Sequence, residues 1–302
     1  MCASLLEVMR AGPVILDGGL ATRLEERGHE LTDDLWSARL LVDDPAEIVA
    51  AHLDYFAAGA QVATTASYQV SYEGMSQHGV DRAGTNRLLQ RSIALAREAA
   101  LTFDDDRPRW VAASVGPYGA ALADGSEYTG DYGLTVQQLR AWHRPRLAVL
   151  AEGGADVLAL ETLPSLAEAE ALLTEIAGTG VPCWLSMTAD EDTTRRGEPI
   201  AEAFAMAGDV PEVIAVGVNC CEAIAARALV SQAARLSGKP VVVYPNSGEG
   251  WDDSTRSWIG EGDFKPTAAR DWVRDGARLV GGCCRVGPEQ IAGIADALLE
   301  PV

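Results

Sequence analysis

Apolar and polar positions fall in blocks along this chain rather than alternating residue by residue. A helical stretch runs into glycine, a short apolar run follows, and the run ends in polar or small residues. "AAGAQVATTASY", "EGGADVLALETLP", "GTGVPCWLSMTAD", "LSGKPVVVYPNSG" and "RDGARLVGGCCR" repeat this theme around Gly59, Gly153 and Gly154, Gly180, Gly238 and Gly276. Glycine just past a helix end takes the left-handed conformation that closes the helix. The apolar runs are short and β-branched, as strands buried on both faces are. They predict eight strands, at 14–17, 61–65, 110–114, 157–161, 183–187, 214–219, 241–244 and 278–281. Helical text separates them. Asp44 before Pro45 reads as an N-cap with proline in the first turn. Thr135 with Gln138, and Ser165 with Glu168, read as capping boxes. Pro288 opens a last helix that runs to Leu299. Eight alternations of strand and helix predict an α/β fold, a (β/α)8 TIM barrel, as one domain over residues 1–302. The alternative is an open doubly wound sheet. It calls for a glycine-rich nucleotide turn after the first strand, and "DGGLAT" departs from that pattern.

Composition narrows the function. The 302 residues are 48% hydrophobic, enough for a barrel core. Lys and Arg number 24 against 44 Asp and Glu, a net charge of −20. Such a surface argues against nucleic acid and anionic membranes, which basic patches bind. The N-terminus lacks the pattern of a signal peptide, and no apolar run is long enough to span a bilayer. A cytoplasmic protein is expected. Six cysteines without a secretory signal then point to metal or catalytic use rather than a disulfide framework.

In a TIM barrel the active site forms where the strands end. Strand one ends in Asp17-Gly18-Gly19, strand two in Thr64, Thr65, Ser67 and Tyr68, and strand three in Ser114, Gly116 and Tyr118. Strand four ends in Glu161-Thr162, strand six in Asn219-Cys220-Cys221, strand seven in a run that holds Asn246, and strand eight in Cys283-Cys284. Cysteines far apart in sequence thus meet at one mouth. Neighbouring cysteines pair poorly with each other in a disulfide, but two thiolates can share one metal ion. Three converging thiolates suggest zinc with an open fourth position. Side chains alternate along a strand, so one of Cys220 and Cys221 faces the site and the other packs outward. Cys183, at a strand start, reads as a buried apolar residue.

The runs "ILDGGLATRLEERG", "AGAQVATTASYQ", "SVGPYGAALADGSEYTGDY", "ALETLPS", "GVNC", "YPNSGE" and "GGCCR" together resemble the homocysteine S-methyltransferase family, from about residue 14 to residue 285. The loop "ADGSEYTGDY" and the run "VVYPNSGE" look closest to the branch that uses S-methylmethionine or S-adenosylmethionine. The betaine-using relatives and the homocysteine module of cobalamin-dependent methionine synthase resemble it less. The resemblance implies zinc-dependent methyl transfer to homocysteine, yielding methionine. It implies Zn²⁺ on Cys220, Cys283 and Cys284, with Cys221 as an extra thiol. It supports Asp17 and Glu161 as holders of the substrate ammonium. Gly18, through amides at Gly18 and Gly19, is expected to serve the substrate carboxylate. Tyr68 is expected to line the same pocket, and Asn219 to orient Cys220 or the substrate.

Zinc deprotonates a bound thiol, and a thiolate that attacks a sulfonium releases a neutral thioether. No general acid is required. This suits a chain whose histidines, His29, His52, His78 and His143, all fall in helix or loop text. The acidic and aromatic loops at 124–132 and 249–258 suit a sulfonium cation, with Glu127, Tyr128 and Trp251 as donor-site candidates. The expected partners are small molecules only, with no nucleic acid and no membrane. Two other readings remain: a zinc thiol methyltransferase with another donor such as betaine, and a zinc or thiol-redox protein without turnover.

Overall fold

The computed structural model describes residues 3–31, 37–122, 124–252 and 257–299. Eight parallel strands form one sheet: β1 Val14–Ile15, β2 Val62–Thr64, β3 Trp110–Val115, β4 Val157–Leu163, β5 Cys183–Met187, β6 Val213–Asn219, β7 Val241–Tyr244 and β8 Ala277–Val280. Each strand pairs with its neighbours in sequence, and β1 pairs with β8. A parallel bridge between Leu16 and Val62 joins β1 to β2 and closes the barrel. The fold is the (β/α)8 barrel predicted from the blocks. Strand ends differ by one or two residues: β4 runs on to Leu163 past Glu161, and β8 stops at Val280 before the glycines.

A helix follows each strand and covers the barrel. These helices are Pro45–Ala57, Arg82–Thr102, Val136–Glu152, Leu166–Ile176, Ile200–Gly208, Ala223–Ser237, Ala268–Arg274 and Pro288–Leu299. The stripe Ala226, Leu229, Val230 and Ala233 shows why: apolar side chains three and four apart share one helix face, and that face is buried. The helix ends on Gly238 in the left-handed conformation. Thr135 and Gln138 form the expected reciprocal box. Two other expected caps differ. Asp44 makes no side-chain cap bond. Ser165 caps the Glu168 amide, but the Glu168 carboxylate turns away to His143 and the Tyr118 amide.

The core has two parts. One lies between strands and helices. The other fills the barrel, with Val14, Val62, Trp110, Val157, Trp184, Ala215, Val242 and Leu279 among its members. A short helix, Leu5–Ala11, which the sequence reading did not predict, sends Leu5 and Met9 into that interior cluster. Its Ser4–Glu7 capping box starts it, and the Ala3 carbonyl accepts the Trp110 indole N–H at 3.3 Å. Two short hairpins, Ala189–Asp190 with Thr193–Thr194 and Gly250–Asp252 with Ser257–Ile259, follow β5 and β7. Among the described residues no helix is long and apolar enough to cross a membrane.

Buried His52 makes a stability prediction. It is fully buried in the helix Pro45–Ala57, and neither ring nitrogen has a hydrogen-bond partner. Burial lowers its pKa from 6.5 to about 4. Between those values the unfolded chain binds the extra proton, so stability is full above pH 6.5 and falls as pH drops toward 4. The shift corresponds to about 3 kcal/mol at 1.36 kcal/mol per unit. Thermal melts across pH 4–7 are expected to show this acid loss, and His52→Leu is expected to flatten it. An equally steep loss in the variant would assign the acid limb to other groups.

Candidate active site and metal centre

The strand ends open onto one cavity of ≈ 140 Å³. A dry cavity of about 150 Å³ admits benzene, so this one has room for a small amino acid side chain. Its wall includes Asp17, Glu161, Glu127 and the three cysteines Cys220, Cys283 and Cys284. Among the described residues, no Lys, Arg or His lines it. The wall is therefore anionic, or ready to become so, with no built-in cation.

Cys220 directly follows β6, and Cys283 and Cys284 follow β8 across Gly281-Gly282. The Cys220 sulfur lies 2.8 Å from that of Cys283 and 3.7 Å from that of Cys284. All three sulfurs lie within 4.8 Å of one another. Cys221 turns the other way, buried in the core between barrel and helices. Its thiol is pushed up to about 12, mainly by burial. Cys183 is also buried there and lies far from the mouth, at the start of β5. The three thiols shift one another's ionisation. Bonds from Cys220 and Cys283 hold the Cys284 thiol well below its ordinary value, helped by the Tyr128 hydroxyl. Cys220 is raised well above it by its bonds to Cys283 and Cys284 and by burial.

These residues fit zinc. Zn–S bonds of about 2.3 Å in a tetrahedron set sulfurs about 3.8 Å apart. Cys220 and Cys284 already have that spacing, and Cys283 has to move out by about 1 Å. Three soft sulfurs on three backbone positions at the cavity wall would hold zinc and, as in a catalytic zinc site, would leave it able to take a further ligand.

The backbone around the sulfurs is held on every side. Cys220 has φ +49° and Arg285 φ +63°, both strained for residues with a Cβ. The Cys220 amide donates to the Tyr244 carbonyl at 3.3 Å, and its carbonyl accepts from Thr188 and Arg195 at 3.0 and 3.3 Å. Asn246 accepts the Cys284 amide at 3.1 Å, while its own amide donates to the Cys221 carbonyl. Arg285 pairs with Glu249 at 3.0 Å, and its amide donates to Thr22. Gly18 and Gly19 lie against the same turn. A Cβ on Gly18 would stand 2.2 Å from the Val286 carbonyl oxygen, and one on Gly19 would stand 2.7 Å from that of Cys283. Gly18 lines the cavity, but the Gly19 amide donates to the Val286 carbonyl. The expected carboxylate cradle thus lacks the Gly19 N–H, and close approach to the cysteine turn is what requires the glycine pair.

Asp17 and Glu161 are both buried carboxylates on the cavity wall. Asp17 accepts the Thr64 amide at 2.7 Å and the Thr64 hydroxyl at 2.8 Å. Glu161 accepts the Tyr244 hydroxyl at 2.9 Å and the Ser114 hydroxyl on its other oxygen. Burial raises Asp17 to about 7 despite those bonds, with Glu161 adding repulsion. Burial likewise raises Glu161 to about 6. A neighbouring cation would favour the charged form of both carboxylates.

Asn219 does not line the cavity. Its carboxamide oxygen accepts the Thr162 amide at 2.8 Å and the Ser186 hydroxyl at 2.5 Å, and its nitrogen donates to the Thr162 hydroxyl at 2.7 Å. Thr162, next to Glu161, also has positive φ, at +60°. Asn219 therefore ties the residue after the carboxylate to the residue before the thiol. Tyr68 lines the cavity and lays its ring on Gly116. Tyr244, which also lines it, was missed by the sequence reading. The signal was its place as the last residue of a strand and the first of the singled-out run "YPNSGE".

The segment 124–132 reaches over the mouth. Glu127 and Tyr128 line the cavity. Tyr128 is 41% exposed as a residue, yet it lines the cavity together with Cys284. The other acids of the segment have local partners. Asp124 accepts from the Ser126 amide, and Asp131 pairs with Arg196. Tyr132 stacks edge-on against Tyr118, which meets Trp142 the same way. Trp251 sits on the hairpin Gly250–Asp252 with Ser257–Ile259, opposite Trp258 in register, and its side chain lies outside the described ones. Of the histidines, His52 and His143 are fully buried and His29 pairs with Glu47.

Comparison with known proteins agrees with this arrangement. The family model described as homocysteine S-methyltransferase matches residues 14–298. A homocysteine S-methyltransferase of Escherichia coli (strain K12) is 43% identical over 292 residues, covering 93% of this chain and 94% of that protein. Homocysteine S-methyltransferase YbgG of Bacillus subtilis (strain 168) is 43% identical over 295 residues, covering 93% of each. The metallated form of the homocysteine methyltransferase MmuM from Escherichia coli superposes with a TM-score of 0.85 at 40% identity, covering 94% of this chain and 96% of that one. With three thiols and two carboxylates at the mouth of a matching barrel, the chain belongs to the homocysteine S-methyltransferase family.

Proposed function

We propose that this enzyme transfers a methyl group from a sulfonium, S-methylmethionine in the first place, to the sulfur of L-homocysteine. The whole barrel acts as one homocysteine-binding domain. One observation carries the reading: a small cavity walled by three thiols and three carboxylates, with no cation of its own among the described residues. Its ligands must bring the positive charge. Zinc on Cys220, Cys283 and Cys284, the ammonium of homocysteine and the sulfonium of the donor each do so.

Zinc, when bound, would supply a Lewis acid that keeps the homocysteine sulfur deprotonated at neutral pH. Asp17 and Glu161 hold the ammonium with charge-assisted hydrogen bonds. Thr64, Ser114 and Tyr244 fix the carboxylates by bonds to oxygens that would otherwise turn freely. Gly18 and Tyr68 shape the wall beside the substrate. Asn219 holds Thr162 and so keeps Glu161 in register with Cys220. The homocysteine thiolate then attacks the donor methyl carbon in line. The new S–C bond forms as the old one breaks, and the electron pair leaves on a neutral thioether. No proton goes to the leaving group, in keeping with a cavity that has no histidine. Glu127 and Tyr128 present a carboxylate and a ring face to the sulfonium, with Trp251 as a further candidate on its hairpin. A reducing compartment such as the cytoplasm suits free thiols at this site.

The run over 124–132 resembles the branch that uses sulfonium donors, and S-methylmethionine is the donor proposed from it. With S-methylmethionine and S-adenosylmethionine at equal concentration, S-methylmethionine is expected to supply most of the methyl groups. Isotope-labelled methyl on one donor at a time reads this directly, and a dominant flux from S-adenosylmethionine or betaine would overturn the donor assignment.

A further inference from the structure

We propose that the adjacent Arg195 and Arg196 are positioning residues that latch the segment 124–132 over the three sulfurs and so set the affinity for the methyl donor. The inference rests on the methyl-transfer reading for its kinetic part only. Both arginines follow the hairpin Ala189–Asp190 with Thr193–Thr194. That hairpin is anchored: Glu198 accepts the Thr194 hydroxyl and the Leu166 amide, each at 2.8 Å, at the start of the helix Leu166–Ile176.

Arg195 works on the inner side. Its Nε donates to the Thr188 hydroxyl at 3.1 Å, and its Nη2 donates to the Cys220 carbonyl at 3.3 Å. Thr188 donates to the same carbonyl at 3.0 Å. The Arg195 guanidinium also stands 6.0 Å from the Tyr128 ring centroid. Tyr128 thus stands between Arg195 at its ring and the cavity that it lines with Cys284. Arg196 works on the outer side. Its Nη1 lies 3.3 Å from Asp131 Oδ1 and donates to the Gly130 carbonyl at 3.5 Å. Two points of the segment, Tyr128 and Gly130-Asp131, are gripped from one fixed hairpin. The inner grip ends on the backbone of Cys220. The segment over the mouth is therefore tied to the sulfur site it covers.

The two grips differ in strength. Arg196 and Asp131 are 38% and 74% exposed, so water and salt weaken the pair. Arg195 is partly buried and makes charge-assisted bonds, which are stronger. Arg196→Asp is expected to raise the donor KM about two- to fivefold, with kcat and the homocysteine KM unchanged. The exchange variant Asp131→Arg/Arg196→Asp is expected to restore it. Arg195→Met is expected to raise the donor KM by about tenfold or more, and Arg195→Lys to fall between. Amide hydrogen exchange in the zinc-loaded protein reads the same latch without turnover. Exchange over 126–132 should quicken in Arg196→Asp and return to the wild-type rate in the exchange variant. Unchanged exchange and unchanged donor KM in Arg196→Asp would overturn the proposal, as would an exchange variant no closer to wild type than the single one. If the protein transfers no methyl group, the amide-exchange comparison still decides the latch by itself.

Discussion

Cys284→Ser is expected to end methyl transfer and zinc binding together while leaving the fold intact. The serine hydroxyl is nearly the same size, but it does not ionise at neutral pH and is a poor zinc ligand beside two sulfurs. The Cys284 sulfur lies 3.7 Å from that of Cys220 and within 4.8 Å of both other sulfurs, so its loss removes one of the three soft donors. Removing a group that merely orients a zinc ligand costs about 10–100-fold. Losing a ligand from a three-sulfur site should cost more than 100-fold in turnover by that scale. Zinc content by elemental analysis, thermal melting and turnover should be read on the same sample. Full turnover with bound zinc would remove Cys284 from the metal site.

Glu161→Gln is expected to raise the homocysteine KM by about 30-fold or more, without loss of zinc. Truncating one partner of a buried, hydrogen-bonded charge pair costs about 2–5 kcal/mol, much of it from the charge left behind. Here that charge is the substrate ammonium. The glutamine keeps the shape of the side chain and can still meet Ser114 and Tyr244, so the barrel should hold. Asp17 remains as a second carboxylate, which is why the effect falls short of complete loss. A homocysteine analogue without the amino group supplies the control. It should bind poorly to wild type and lose no further affinity in the variant. An equal loss for both thiols would mean that Glu161 shapes the pocket instead of binding the ammonium.

The barrel was legible because each of its strands is a short buried run between helical blocks. β5 and β7 match their runs residue for residue. The helix Leu5–Ala11 was not legible, because its meaning lies in Leu5 and Met9 entering the barrel interior, a contact between chain segments far apart. The site was legible where a strand end carries an unusual side chain. Asp17, Glu161 and the cysteines stood out in this way, since buried acids and paired thiols need a reason. Tyr244 and Arg195 did not stand out. A tyrosine that ends an apolar strand looks like core, and an arginine in "TTRRGEP" looks like surface until the Cys220 carbonyl and the Tyr128 ring are seen beside it. The choice between Cys220 and Cys221 needed geometry as well. Alternation says that one faces in, and only the fold shows Cys221 in the outer core. The acidic loop divides in the structure. Glu127 lines the cavity, but Asp124 and Asp131 have partners within their own surface.

The most direct test mixes reduced, zinc-loaded protein with L-homocysteine and S-methylmethionine and follows methionine by chromatography, before and after chelation and zinc re-addition. Rapid methionine formation is expected, stopping when zinc is removed and returning when it is restored. Bound zinc with no methionine from homocysteine, whatever sulfonium is supplied, would contradict the proposed function. So would full turnover in protein stripped of metal.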